Sequence, residues 1–144
     1  MKHVLSSDAD ICVLAPNCPV CHQSVSLAAT QLEAAGVSTV VLGCAKDIVE
    51  HVGVPRLLFS DFPLGNCAGK PHDKASQNET LLLALKLLEG APAARTTVQS
   101  PQSWCADHSW KQDYSNAAQL SAEEIAKRRK EFDRQKARAK STCL

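Results

Sequence analysis

A strand, a helix and a second strand within about 35 residues constrain this chain more than any other feature of its sequence. Residues 10–15 (DICVLA) form a short apolar run that stops at Pro16 and Asn17, the pattern of a strand buried on both faces. Over residues 19–35 the spacing changes: Val20, Leu27, Ala28, Leu32 and Ala35 recur at helical intervals, and Gly36 supplies a stop. Residues 38–43 (STVVLG) then make a second β-branched run. Two strands joined through a helix in so short a span must lie parallel, with a right-handed crossover expected.

The rest of the chain continues the alternation. Residues 45–52 predict a short helix, 55–60 (PRLLFS) a third strand, and 61–71 (DFPLGNCAGKP) an irregular loop of the kind that carries function more often than packing. A helix is expected over 73–88, with Leu81, Leu82, Leu85 and Leu88 as its apolar stripe and Gly90 as its end, followed by a short strand over 95–99. Residues 101–116 hold both tryptophans and read as an ordered loop. Trp104, His108, Trp110, Asp113 and Tyr114 cluster there, either covering an apolar seam or forming a lid. From Ser121 to about Lys140 runs a charged helix whose Ser121 and Glu124 make a capping box, with the Lys127–Lys130 basic cluster as a solvated face. With only six aromatic residues, the core must come from Val, Leu, Ile and Ala. The expected fold is α/β, a Rossmann-like or flavodoxin-like three-layer arrangement with a small parallel sheet and a C-terminal surface helix. Residues 1–116 are expected as one α/β thiol-redox domain, and 117–144 as a charged helix packed on it or extending from it.

Sixteen Lys and Arg against fifteen Asp and Glu leave a net charge near +1, too small a field for a dedicated nucleic-acid binder. No apolar run approaches the roughly 20 residues that span a bilayer. The opening MKHVLSSDAD lacks a signal-peptide hydrophobic stretch, so the cytoplasm is the expected compartment. In that compartment seven cysteines read as reduced thiols, some of them catalytic or metal-binding.

The chemistry centres on Cys18-Pro19-Val20-Cys21, where the first strand gives way to the first helix. In parallel α/β folds sites gather at this carboxyl edge. Pro19 suits the first helical position, which makes Cys18 the N-cap and Cys21 a first-turn residue. A thiolate at an N-cap faces unpaired N–H groups and the positive end of the helix dipole, and both favour the anion. Cys18 is therefore expected as nucleophile and Cys21 as resolving thiol. His22 either steadies a thiolate or points to solvent, and the solvent reading is favoured. Asn17 precedes the pair, Cys44 ends the second strand and approaches across the sheet edge, and Cys67 in the later loop is placed to face the pocket. Gly65 and Asn66 tolerate left-handed backbone, so their loop either presents N–H groups to a carboxylate, with Lys70 or His72 as charge partner, or is a plain turn. Asp61 is a loop cap or a helper acid. A zinc site would need two further ligands; no second CxxC or HxxxH occurs, and a Cys18, Cys21, Cys44 metal site ranks below redox chemistry. Cys12 reads as a small core hydrophobe.

The stretch LAPNCPVCHQS, the STVV strand and DFPLGNCAGKP together resemble the selenoprotein subunits of the glycine, sarcosine and betaine reductases and of D-proline reductase. The likeness covers residues 10–75. It implies that Cys18 occupies the selenocysteine position and Cys21 the following cysteine, while Ser24 stands where some members have another cysteine. Pro63, Leu64, Gly65 and Asn66 match the family's later loop, with Cys67 in place of its usual proline. The resemblance further implies reductive C–N bond cleavage of a small amine or amino-acid substrate. A pyruvoyl group would be carried by a second reductase subunit, not bound covalently in this chain. A thioredoxin-like electron donor is implied as well, and a homo-oligomer remains open. Two rival readings stand beside it: a thioredoxin-like thiol-disulfide carrier, suggested by CPVC after a strand and by Val54-Pro55 before a later one, and a cysteine-based metal-binding module.

Overall fold

A computed structural model describes residues 4, 6–113 and 120–142; Tyr114, named above, lies outside them. The chain divides into two compact units, Met1–Ala106 and Asp107–Leu144.

In the first unit the elements alternate as β1 (Ile11–Leu14), α1 (Pro19–Ala34), β2 (Ser38–Gly43), α2 (Lys46–Val52), β3 (Arg56–Phe59), α3 (Lys74–Gly90) and β4 (Thr96–Gln99). The four strands form one all-parallel sheet in the order β1-β2-β3-β4, flanked by helices, which is consistent with a Rossmann-like or flavodoxin-like α/β fold. Alternation along the strands sorts the core into two layers. Val41 and Leu57 face Ala29 of α1 and Val49 of α2, whereas Val40, Leu42 and Leu58 face Ala84 and Leu87 of α3. Each fully buried leucine among these stabilises the fold by about 1.5–3 kcal/mol.

Since the strand order advances in one direction while α3 changes face, the third crossover has the opposite hand to the first two. The chain therefore leaves β2 toward one face and β3 toward the other.

Local signals set the boundaries. Cys18 caps α1 with extended backbone, Pro19 occupies the first turn, and Val37 and Gly36 donate to the Leu32 and Glu33 carbonyls at 3.0 Å, with Gly36 at φ +88°. At α3 the Asp73 carboxylate accepts the Ser76 amide at 3.0 Å. At the amino edge of the sheet, Arg56 Nη1 donates to Glu33 Oε1 at 2.8 Å, and the Thr39 amide and hydroxyl donate to the same oxygen.

The buried faces of α1 and α3 differ from those expected. Helix α1 buries His22, Ser26, Ala29 and Leu32, leaving Val20 and Leu27 exposed; α3 buries Ser76, Thr80, Ala84 and Leu87, leaving Leu81 and Leu82 exposed. Along α3 the hydroxyls are satisfied by the backbone and by Gln102: Thr80 Oγ1 donates to the Ser76 carbonyl at 2.9 Å, and Gln102 Nε2 donates to Thr80 Oγ1 at 3.0 Å. Small, hydrogen-bonded residues let the helix approach the sheet, and that outweighs the leucine count.

In the second unit, α4 (Trp110–Asp113) is a single turn within the segment expected to be loop. Helix α5 (Ala122–Thr142) is charged throughout. Its Ser121 hydroxyl accepts the Glu124 amide at 3.2 Å, and Glu124 and Arg128 pair at 3.1 Å. Among the described residues, no helix is long and apolar enough to cross a membrane.

Candidate functional site

The carboxyl edge of β1 and β2 gathers the residues that the sequence singles out. Cys18 and Cys21 stand with their sulfurs 2.7 Å apart, and the Cys21 amide donates to Cys18 Sγ at 3.3 Å. That separation is longer than a disulfide bond of about 2.05 Å and short enough for one proton to be shared between two thiols. Both cysteines are partly exposed. The hydrogen bond from the Cys18 thiol, followed by backbone hydrogen bonds from Cys18 and Asn17, holds the Cys21 thiol below its ordinary range against a smaller opposing effect of burial. The lowering falls on Cys21, the first-turn member of the pair.

His22 is fully buried, which overturns the solvent-facing reading. Its backbone amide and ring Nδ1 both meet the Cys18 carbonyl, at 3.0 and 2.8 Å, and the Cys44 amide donates to Nε2 at 3.0 Å. Since Nε2 must accept, the ring is neutral with its proton on Nδ1. At Gly43 the close neighbour is Leu57, whose Cδ1 a Cβ would meet at 2.9 Å, while His22 Cδ2 would lie at an ordinary contact distance of 3.7 Å.

The loop after β3 returns across the end of β2 to the cysteine turn. Its Cys67 thiol donates to the Pro16 carbonyl at 3.1 Å, and Gly65 at φ +93° lies so close to Asn17 that a Cβ would meet its Oδ1 at 2.6 Å. Cys67 is buried, so it anchors the loop and does not face a pocket; burial pushes its thiol up. Burial, with the neighbouring Cys67 as a lesser cause, pushes the Cys44 thiol up to about 12. Both therefore remain protonated at neutral pH. Asn66 spends its amide and its Nδ2 on the Pro63 carbonyl, each at 3.1 Å, so it presents neither to a carboxylate. Lys70 is tied to α3 through its backbone, its amide donating to Ser76 Oγ at 3.0 Å and its carbonyl accepting from Gln77 Nε2 at 3.1 Å.

Beside the cysteine pair lies a groove of about 540 Å³, walled by Pro19 and Val20 from α1 and by Asp47, Ile48 and His51 from α2. Sequence reasoning missed this wall because α2 reads as an ordinary amphipathic turn. It also missed Gly43 and the Pro16 carbonyl; only the small residue at the end of a β-branched run hinted at a close approach there. Trp104 packs edge-on against buried Phe62 at 5.4 Å, which fits the seam-covering reading. Among the described residues, no group of three or more His, Cys, Asp or Glu side chains is placed to hold a metal ion.

Comparisons with protein-family models, with curated proteins and with solved structures return no match.

Proposed function

We propose that this chain is a thiol-dependent oxidoreductase component in which Cys18 attacks and Cys21 resolves. The observation that carries the reading is the contact of the two sulfurs, 2.7 Å apart at the N-cap of α1. A dithiol so arranged closes to a disulfide with little backbone motion, and the hydrogen bonds at the helix start hold the Cys21 thiol below its ordinary range. The raised Cys44 and Cys67 thiols stay out of the exchange.

Resemblance to the glycine, betaine and D-proline reductase selenoproteins supplies the substrate class, an amine or amino acid held on a pyruvoyl group of a second subunit. The Cys18 thiolate forms a bond to the carbon bearing nitrogen; the C–N bond breaks, and nitrogen leaves with the electron pair and takes a proton. The Cys21 thiolate then attacks Cys18 Sγ; an S–S bond forms, the C–S bond breaks, and the carbon takes the pair and a proton. The substrate gains two electrons and two protons, the dithiol becomes a disulfide, and a thioredoxin-like dithiol restores it.

The same pair would also serve a simple thiol-disulfide carrier. Against that second reading, the sheet of the described residues is all-parallel, whereas thioredoxins carry an antiparallel hairpin.

Purification of the Cys21→Ser chain from its native cells tests the proposal by intact mass and peptide mapping. A carbon-linked adduct on Cys18, stable to dithiothreitol and absent from Cys18→Ser, is expected. Rapid insulin reduction with no such adduct would favour the carrier instead, and stoichiometric zinc in the purified protein would favour a metal-binding module.

A further inference from the structure

His22 is the one imidazole of the cysteine turn, and the chemistry above leaves it unused. It lies fully buried between two elements that the chain separates by 22 positions, and both ring nitrogens are committed to backbone groups, the Cys18 carbonyl at 2.8 Å and the Cys44 amide at 3.0 Å. The Cys18 carbonyl also accepts the His22 amide at 3.0 Å. A hydrophobic residue would fill the volume and make neither ring contact. An exposed first-turn residue would leave the N-cap free to fray, because the first turn of a helix has the fewest internal hydrogen bonds.

We propose that His22 is a positioning residue for the Cys18–Cys21 pair, pinning the N-cap of α1 to the end of β2 so that the two sulfurs stay in contact. The inference rests on the thiol-redox reading. Among the hydrogen bonds of the described residues, Cys18 Sγ meets only Cys21, its place is fixed through its backbone, and the His22 ring is the only side chain that links that backbone to the sheet. When the pin is lost, Cys18 Sγ drifts from Cys21, and Cys21 loses the hydrogen bond that contributes most to its acidity.

The test uses the full reduced chain and follows iodoacetamide alkylation of the Cys18 and Cys21 peptides against pH. His22→Leu is expected to move the profile of the pair upward and to slow alkylation at pH 7 by about tenfold. His22→Gln, whose amide can still donate to the Cys18 carbonyl, is expected to keep most of the native rate. Leu58→Ala, a core substitution far from the turn in sequence, serves as a control that lowers stability without moving the profile. An unchanged profile in His22→Leu, or an equal shift in Leu58→Ala, would overturn the positioning role while leaving the redox reading intact. A native pair alkylated no faster than Cys105, a partly exposed cysteine outside the turn, would overturn both. Where His22→Leu fails to fold, ¹⁵N spectra of the native chain decide: a ring protonated at Nδ1 and bare at Nε2 supports the pin, and the opposite tautomer refutes it.

Discussion

Replacing Gly65 by Ala perturbs the joint between the later loop and the cysteine turn, and its cost follows from two features of that joint. Gly65 holds φ +93°, and a Cβ placed on it would lie 2.6 Å from Asn17 Oδ1. An L-residue in left-handed backbone costs about 1–2 kcal/mol. The overlap forces Asn17 into a poorer rotamer at about 0.5–1.5 kcal/mol, and the reduced freedom of the unfolded chain returns about 0.4–1 kcal/mol. A net loss of about 1–2 kcal/mol is expected, which lowers a urea midpoint by roughly 0.5–1 M. The steric share vanishes when Oδ1 is absent. In an Asn17→Ala background the same substitution should therefore cost about 0.5–1.5 kcal/mol less, more than the roughly 0.3–0.5 kcal/mol scatter of independent sites. Equilibrium urea unfolding of the four chains of this cycle measures the coupling. Strict additivity would refute the docking of the loop on Asn17, and an unchanged midpoint in Gly65→Ala would refute the backbone assignment as well.

Leu58→Ala empties a site that is 1% exposed between β3 and α3 and should cost about 2–5 kcal/mol in the same assay. Glu33→Gln strips Arg56 and Thr39 of their shared carboxylate and should cost about 1–3 kcal/mol, with most of the loss abolished by high salt if the charge alone matters and retained if the hydrogen bonds do. Cys44 ionises at 9.0 when unperturbed and at about 12 in the fold, so the folded chain holds this proton more tightly than the unfolded chain does. Its contribution is fully present below pH 9 and is lost as the pH rises through 12; unfolding of Cys44→Ala across that window should fall less steeply than that of the native chain. Parallel curves would contradict the assignment.

What the sequence disclosed was local. The Cys18 cap, Pro19 in the first turn, Gly36 after α1 and Asp73 before α3 all act within a few residues, and each element boundary that they define lies within two residues of expectation. What it concealed depends on partners remote in the chain. His22 finds its acceptor role at the Cys44 amide, and Cys67 finds its carbonyl at Pro16, 51 positions away. No periodicity reports either contact. The leucines of α3 misled for a related reason: a helix lies against a sheet along whichever line packs closest, and the Ser76, Thr80 and Ala84 line is the narrow one. The loop 61–71 was legible as a turn at the sheet edge, but not the use of its Asn66 donors inside the turn itself.

The central claim is that Cys18 and Cys21 form a reversible two-electron couple. Equilibration of the chain in glutathione buffers of graded potential, followed by acid quenching, alkylation and peptide mapping, reads it directly. A Cys18–Cys21 disulfide that forms and is reduced in a single two-electron step, with Cys44 and Cys67 remaining thiols throughout, is the predicted result. A pair that stays reduced across the whole range, or oxidation that links other cysteines first, would contradict it.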